Sequence, residues 1–404
     1  MKKIYFSLAC ILVASLSMAQ CDGRYQTEIF TSVTVVQDVN YSDVYTDGAH
    51  EMDIYYPDGD TVTNRPVILY MHGGSFYAGD KTDGDCVAFC TKFAKKGYVT
   101  ASVNYRLVNP LQILSFLANQ DEQYEEVLKA VGDAKAAIRF FRKDHDNGDS
   151  YGIDPNTIFV GGTSAGAVAA IHLAYIDAVS DLPTSPLDIQ AVANGMGGIE
   201  GDAGNNGYSS AVSGVISFAG GINDTAWIDA GDEPIVSAQG DADNTVNYNC
   251  GPGLNNPSVL NLCGAGVMHP IADNVGIIND ALTFPGVGHT WMANTSSSEY
   301  VQAIDFTTDF LLPLLPCSQV TATWECVNGT CEIDTVTGTG TYASLADCQA
   351  SCTVSSISNQ EPKFNRQLLK VIDILGRDSK TNSKSVLFYI YDDGSVDKKM
   401  VLID

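Results

Sequence analysis

Residues Ile158 to Ala174 read IFVGGTSAGAVAAIHLA. Three apolar residues suit a strand, a short turn lies between glycines, and an alanine-rich helix carrying Val168, Ile171 and Leu173 leaves it. A chain that passes so sharply from strand to helix needs small residues at the ends of Gly162-Thr163-Ser164-Ala165-Gly166, because a Cβ there would clash. Gly-x-Ser-x-Gly between a strand and a helix is the setting in which such a turn lifts a serine hydroxyl to the top of a sheet. The first N–H groups of the helix lack intrahelical acceptors and favour an anion. Five residues are a weak signal alone. They gain force if a histidine, a carboxylate and further N–H donors occur at other strand ends, where ligands bind in parallel sheets.

Three junctions supply them. Pro66 to Met71 is continuously apolar, as a central strand buried on both faces is, and runs into His72-Gly73-Gly74-Ser75-Phe76. The unshielded N–H groups of Gly73 and Gly74, with that of Ala165, are the expected oxyanion donors. Ile235 to Gln239 ends in Gly240-Asp241-Ala242-Asp243-Asn244-Thr245-Val246. A carboxylate there would fix a histidine tautomer and stabilise the imidazolium. Asp241 and Asp243 compete for this role; Asp243 is preferred, and Asp241, beside a glycine, reads as a turn residue. The third junction is Phe284-Pro285-Gly286-Val287-Gly288-His289-Thr290-Trp291. Of the six histidines, His50 and His145 precede the turn and His72 belongs to the glycine motif. His172 lies along the helix, and His269 precedes Pro270 in an expected loop. His289 is therefore the expected base, giving the order Ser164, Asp243, His289. Phe76 and Trp291 flank these motifs and are candidates for lining a substrate pocket, with a place in the core as the alternative reading.

The rest of the chain fits around these points. Val33 to Tyr41 and Glu51 to Tyr56 alternate like half-buried strands. Tyr98 to Asn104, Val215 to Phe218 and Ala281 to Phe284 are further strands; helices are expected from Asp83 to Lys96, Glu122 to Arg142 and Tyr300 to Leu312. Leu107 to Leu117 is apolar and irregular, a flap. Strands alternating with helices predict an α/β fold with a mostly parallel sheet.

Charge and cysteine usage narrow the setting. The formal net charge is −26, and between Lys143 and Lys363 there are 25 Asp and Glu and no Lys or Arg. Phosphate contacts need clustered basic residues, so nucleic acid is excluded as a partner, and polyanionic substrates would be repelled. Residues 1–19 read as a signal peptide: Lys2 and Lys3, an apolar stretch from Ile4 to Leu16, and Ser17-Met18-Ala19 before the cleavage point. The apolar stretch is too short for a membrane span. Export makes disulfides expected. Cys10 leaves with the signal, and ten cysteines remain, an even number that suits full pairing. Cys250 and Cys263 are expected to staple the loop between them; Cys86 and Cys90, one helical turn apart, are expected to bridge elsewhere. Residues 20–316 form the main domain. Residues 317–352 hold five cysteines and read as a disulfide-stapled module. Residues 353–364 are a polar linker, and 365–404 a small β domain with a turn at Asp393-Gly394. Glu200 to Gly207 lacks a calcium-loop pattern, and no metal or cofactor is assigned.

On His72-Gly73-Gly74, Asn104-Tyr105-Arg106-Leu107, Gly162 to Gly166, Gly240 to Val246 and Gly288-His289, residues 27–315 resemble a secreted α/β-hydrolase of the carboxylesterase and lipase kind. Ser75 stands where the longer motif has a third glycine. The resemblance implies an eight-stranded, mostly parallel sheet flanked by helices. It also implies cofactor-free hydrolysis of a neutral ester, on a small molecule, lipid or polymer, through an acyl-enzyme on Ser164. A serine peptidase and a catalytically silent adhesion protein are the alternatives. Cys317 to Cys352 resembles a short Cys-rich repeat found beside secreted hydrolases. Asp373-x-x-Gly376-Arg377, Phe388-Tyr389-Ile390-Tyr391 and the final Lys-Lys-apolar strand resemble the C-terminal sorting domain of type IX secretion in Bacteroidetes. That resemblance implies the type IX machinery as a partner and a secreted or cell-surface location.

Overall fold

A computed structural model describes residue 21, residues 23–318, and beyond them 323–327, 330–334, 341–342, 345–352, 367–373, 377, 386–392 and 396–400. The expected signal peptide, the polar linker, the turn at Asp393-Gly394 and Gly376 of the sorting motif lie outside the described residues. The chain divides into two units, one running to residue 322 and including 335–338, the other formed by 323–334 and 339–404.

The first unit is built on β1 (Val33–Asn40), β2 (Glu51–Pro57), β3 (Arg65–Met71), β4 (Val99–Val103), β5 (Ile153–Thr163), β6 (Val215–Phe218) and β7 (Ile235–Gly240). A short hairpin, β8 (Cys250–Pro252) with β9 (Asn261–Cys263), precedes β10 (Asn279–Phe284). Eight strands form one sheet in the order β1-β2-β4-β3-β5-β6-β7-β10. Only the β1–β2 and β2–β4 pairs are antiparallel. This is the expected eight-stranded, mostly parallel α/β sheet.

Helices cover both faces, which is why the central strands are apolar on both sides. Val67, Leu69 and Met71 of β3 enter one core cluster, and Ile68 and Tyr70 the other. Helix α1 (Gly84–Lys96) packs Phe89 and Phe93 into the second cluster. A four-residue helix, α2 (Ile113–Phe116), sits in the expected flap and leads into α3 (Gln120–Asp146). Helix α4 (Ala165–Tyr175) follows the serine turn and is buried along its whole length. Its alanines let it lie between the sheet and α3, whose Val131, Ala134, Ile138 and Phe141 join the same cluster. Then come α5 (Ile189–Gly195), α6 (Ala265–Val275) and α7 (Ser298–Leu311). Among the described residues no helix is long and apolar enough to cross a membrane.

The cysteines depart from full pairing. Cys250 bonds Cys263 as expected, but Cys86 and Cys90 are free and buried in α1. They pack among Tyr55, Tyr70 and Phe89, and there they serve as small apolar residues. Cys317, expected to open the Cys-rich module, bonds Cys21 instead and ties the two ends of the first unit together. In the second unit, β11 (Thr323–Val327), β12 (Thr330–Asp334) and α8 (Leu345–Ser351) are joined by Cys326–Cys352 and Cys331–Cys348. That unit also holds an antiparallel sheet of β13 (Leu368–Asp373), β14 (Val386–Tyr391) and β15 (Val396–Met400).

Cys21–Cys317 closes a loop of 296 residues, and long closed loops restrict the unfolded chain most. The double variant Cys21→Ser/Cys317→Ser is expected to lose about 2–4 kcal/mol, read as a lowered Tm in thermal melts. Reduction of the native protein, which also opens Cys250–Cys263, should lower Tm at least as far.

Candidate active site

The serine turn is built by close approach as much as by bending. Ser164 is its one residue with positive φ, at φ 53°, ψ −114°, an unusual conformation for a side chain with a Cβ. The glycines on either side permit contact. A Cβ at Gly166 would lie 2.3 Å from the Met71 carbonyl oxygen and 2.6 Å from that of His72. One at Gly162 would lie 2.6 Å from the same Met71 oxygen. Helix α4 is thus pressed against the end of β3, and the loop leaving β3 is brought beside Ser164.

That loop is His72 to Gly79. A Cβ at Gly73 would sit 3.4 Å from Ser164 Cβ, so the Gly73 backbone borders the serine directly. Gly74 has φ 111°, and a Cβ there would meet the Ala78 carbonyl at 2.0 Å. Ser75 and Phe76 also have positive φ, strain that persists only where surroundings fix it. The Tyr77 and Ala78 N–H groups donate to Gly74 O, and Val108 N–H donates to Phe76 O. The Tyr105 hydroxyl donates to the His72 carbonyl over 2.8 Å, and its ring stacks on the His72 imidazole at 4.4 Å. Arg106 forks onto buried Asp133. Asn104-Tyr105-Arg106 therefore acts as scaffold under the loop. His72 is buried, which lowers its pKa.

His289 lies in a short turn after β10 and reaches both other expected residues. Its Nε2 accepts from the Ser164 hydroxyl over 2.8 Å. Its Nδ1–H donates to Asp243 Oδ2 over 2.7 Å. Asp243 is buried, and its Oδ1 accepts from the Thr245 and Val246 N–H groups at 2.8 and 3.0 Å. Asp241 takes another part: it is exposed and accepts from Gly286 N–H over 2.6 Å, linking its loop to the one that carries His289. Ala165 is the first residue of α4 and follows Ser164 directly, while the Gly73 backbone borders the serine from the other loop.

An apolar cavity of about 80 Å³ adjoins Ser164. Phe76 lines it, as expected. Trp291 does not; it packs against Phe218 and Phe284 in the core on the other face of the sheet. A tryptophan next to a functional histidine looks like a pocket residue in sequence, but here the turn after His289 sends it inward. His269, expected in a loop, lies within α6, with its Nδ1 2.7 Å from Asn279 Oδ1. The Glu200 to Gly207 stretch has its carboxylates engaged: Glu200 by Lys135 and Arg139, Asp202 by Arg106.

Sequence reasoning missed the far side of the cavity. Tyr124, Val127, His172, Asn223, Leu254 and Leu260 line it. The one available signal was the pair of cysteines bracketing apolar residues 254, 259, 260 and 262.

The BD-FAE family model matches residues 52–256, half of the chain. The chain belongs to the BD-FAE family. The BD-FAE match takes in the glycine loop, the serine turn and Asp243, while His289 lies beyond it. The chain is also similar to gut esterase 1 of Caenorhabditis elegans, 31% identical over 110 residues, 27% of this chain and 18% of that protein. To the para-nitrobenzyl esterase of Bacillus subtilis it is 31% identical over 132 residues, 32% of this chain and 25% of that protein. It spans a quarter or less of the length of these curated relatives. Among solved structures, a truncated carbohydrate esterase from gut microbiota shares the fold at TM-score 0.50 and 21% identity, over 71% of this chain and 97% of that one.

His172 generates a prediction. It is fully buried on α4, its Nδ1 held at 2.7 Å by Val168 O, and burial pushes its pKa from 6.5 down to about 4. Between those values the unfolded chain binds a proton that the folded one does not, so stability falls as pH drops through this window. The size is about 3 kcal/mol. His72 and His269, also lowered by burial, add with the same sign. Urea unfolding at pH 7 and pH 4.5 should show this loss, and His172→Gln should lose less between the two pH values.

Proposed function

We propose that this protein is an exported serine hydrolase that cleaves carboxylic esters through an acyl-enzyme on Ser164. The observation that carries the reading is His289, hydrogen-bonded at one nitrogen to Ser164 and at the other to Asp243. Membership of the BD-FAE family and similarity to esterases support the ester as the substrate class.

In this mechanism His289 takes the Ser164 proton as the serine oxygen attacks the ester carbonyl. Asp243 keeps the Nδ1–H tautomer and stabilises the imidazolium. The N–H groups of Gly73, Gly74 and Ala165 receive the oxyanion, each worth roughly 3 kcal/mol in sites of this type. His289 then protonates the leaving alcohol, and water repeats the sequence on the acyl-enzyme. The chemistry needs no group beyond these side chains and N–H donors.

The signal peptide and the C-terminal residues 365–404 belong to the same proposal: passage through the type IX machinery to the outside. The disulfides Cys21–Cys317 and Cys250–Cys263 support an oxidising destination. The stretch without Lys or Arg favours neutral over polyanionic substrates.

The test is hydrolysis of p-nitrophenyl acetate beside peptide anilides. Ester turnover is expected, with Ser164→Ala lowering kcat by at least about a thousandfold. Asp243→Asn should cost about 10⁴-fold, while Asp241→Asn keeps most of the activity. Ester turnover that survives Ser164→Ala, or anilide cleavage exceeding ester cleavage, overturns the reading.

A further inference from the structure

We propose that the disulfide-stapled loop from Cys250 to Cys263 sets the upper size of the acyl group that Ser164 accepts; this rests on the esterase reading above. Five residues of this loop, Gly253, Leu254, Val259, Leu260 and Leu262, line the cavity beside Ser164. They form a wall of it, with Phe76 and Val168 completing the apolar lining.

The cavity takes the acyl side of the ester for a geometric reason. The leaving alcohol must lie where His289 Nε2 can protonate it. His289 does not line the cavity, whereas Ser75, Phe76 and Ala165, beside the oxyanion donors, do. The acyl chain, which stays on Ser164 after the alcohol departs, therefore points into it.

The wall is pinned at several points. Cys250 and Cys263 face each other in the β8–β9 hairpin and are bonded. Leu254, in the left-handed region at φ 57°, donates its N–H to Thr245 O over 2.8 Å, two residues from Asp243. Buried Gln123 of α3 grips the loop from outside: its Oε1 accepts from Leu260 N–H at 2.9 Å and its Nε2 donates to Ser258 O at 3.3 Å. The Tyr124 hydroxyl donates to Asn223 Oδ1, and Asn223 Nδ2 donates to Asn261 O. The cavity is small, about 80 Å³. A long acyl chain can enter only if the wall moves, which breaks this set of bonds together; a short one leaves the wall in place.

The experiment is kcat/KM across p-nitrophenyl acetate, butyrate, octanoate and decanoate, for the full chain and for Cys250→Ser/Cys263→Ser, Gln123→Ala, Leu260→Ala and Leu260→Trp. The ratios between esters are read within one preparation, so partial misfolding lowers all esters alike and leaves those ratios untouched. The native protein should lose at least tenfold from butyrate to octanoate. The Cys pair, Gln123→Ala and Leu260→Ala should each raise the octanoate-to-acetate ratio at least fivefold, and Leu260→Trp should lower the butyrate-to-acetate ratio. The disulfide control Cys21→Ser/Cys317→Ser should leave the ratios as they are. An octanoate rate equal to butyrate in the native protein, or unchanged ratios in all four variants with acetate turnover intact, overturns the size limit alone. Absence of Ser164-dependent turnover of p-nitrophenyl acetate in the native protein overturns the esterase reading, and the size limit with it.

Discussion

The contact between the start of helix α4 and the end of strand β3 is the constraint on which the site depends. Gly162 and Gly166 have no side chain because the Met71 and His72 carbonyls occupy that space. Closing this gap does two things at once. It forces Ser164 into a positive φ and turns its hydroxyl outward. It also sets Gly73 against Ser164, so the nucleophile and oxyanion donors of the proposed mechanism come from two strands that lie side by side in the sheet. A methyl group at Gly166 would separate them, although it touches no substrate.

The sheet and the meeting of Ser164, Asp243 and His289 were largely legible in the sequence, because each depends on local signals. Pro66 to Met71 is apolar at every position since helices cover both faces, and this run alone marks a central strand. Ser164, Asp243 and His289 each follow a strand and a glycine. The misreadings came where a residue's partner is distant. Trp291 follows His289 by two residues, yet its direction is set by Phe218 and Phe284 from other strands. Cys317 stands among Cys-rich neighbours but meets Cys21, which lies near the opposite end of the chain. Pro270 marks a loop in most contexts, but here it lies in the middle of α6, and the helix runs on through it without that one N–H donor. The cavity wall was illegible for the same reason: Gln123 and Leu260 are 137 residues apart and touch only in the fold.

The uneven charge also has a structural solution. The chain from 144 to 362 carries no Lys or Arg, so its carboxylates must be satisfied in other ways. Many are satisfied by backbone N–H groups nearby: Asp188 caps Ala191, Asp224 accepts from Ala226, and Asp243 accepts from Thr245 and Val246. The carboxylates of the 200–202 loop instead meet cations from the earlier half, with Lys135 and Arg139 on Glu200 and Arg106 on Asp202. Among the described residues the ionisable partner of Asp243 is His289, and no Lys or Arg pairs with it. In the proposed mechanism the imidazolium is therefore the positive charge that this buried carboxylate meets.

The two aspartates after β7 show how the site is held without a cation. Strands β7 and β10 run parallel, with Gly240 opposite Phe284. The loops leaving them therefore start level and must stay in step for Asp243 to meet His289. Asp241 accepts from Gly286 N–H across the gap, Asp241 N–H donates to Phe284 O, and Ala242 N–H donates to Val287 O. These bonds zip the two loops together for several residues beyond the sheet. Gly240 allows it, because a Cβ there would meet the Val287 carbonyl at 2.0 Å. Asp243 then needs only its own turn, closed by two N–H groups, to point one oxygen at the imidazole. The competition between Asp241 and Asp243 in the sequence is a division of labour in the fold: one carboxylate fixes the loops, and the other fixes the ring.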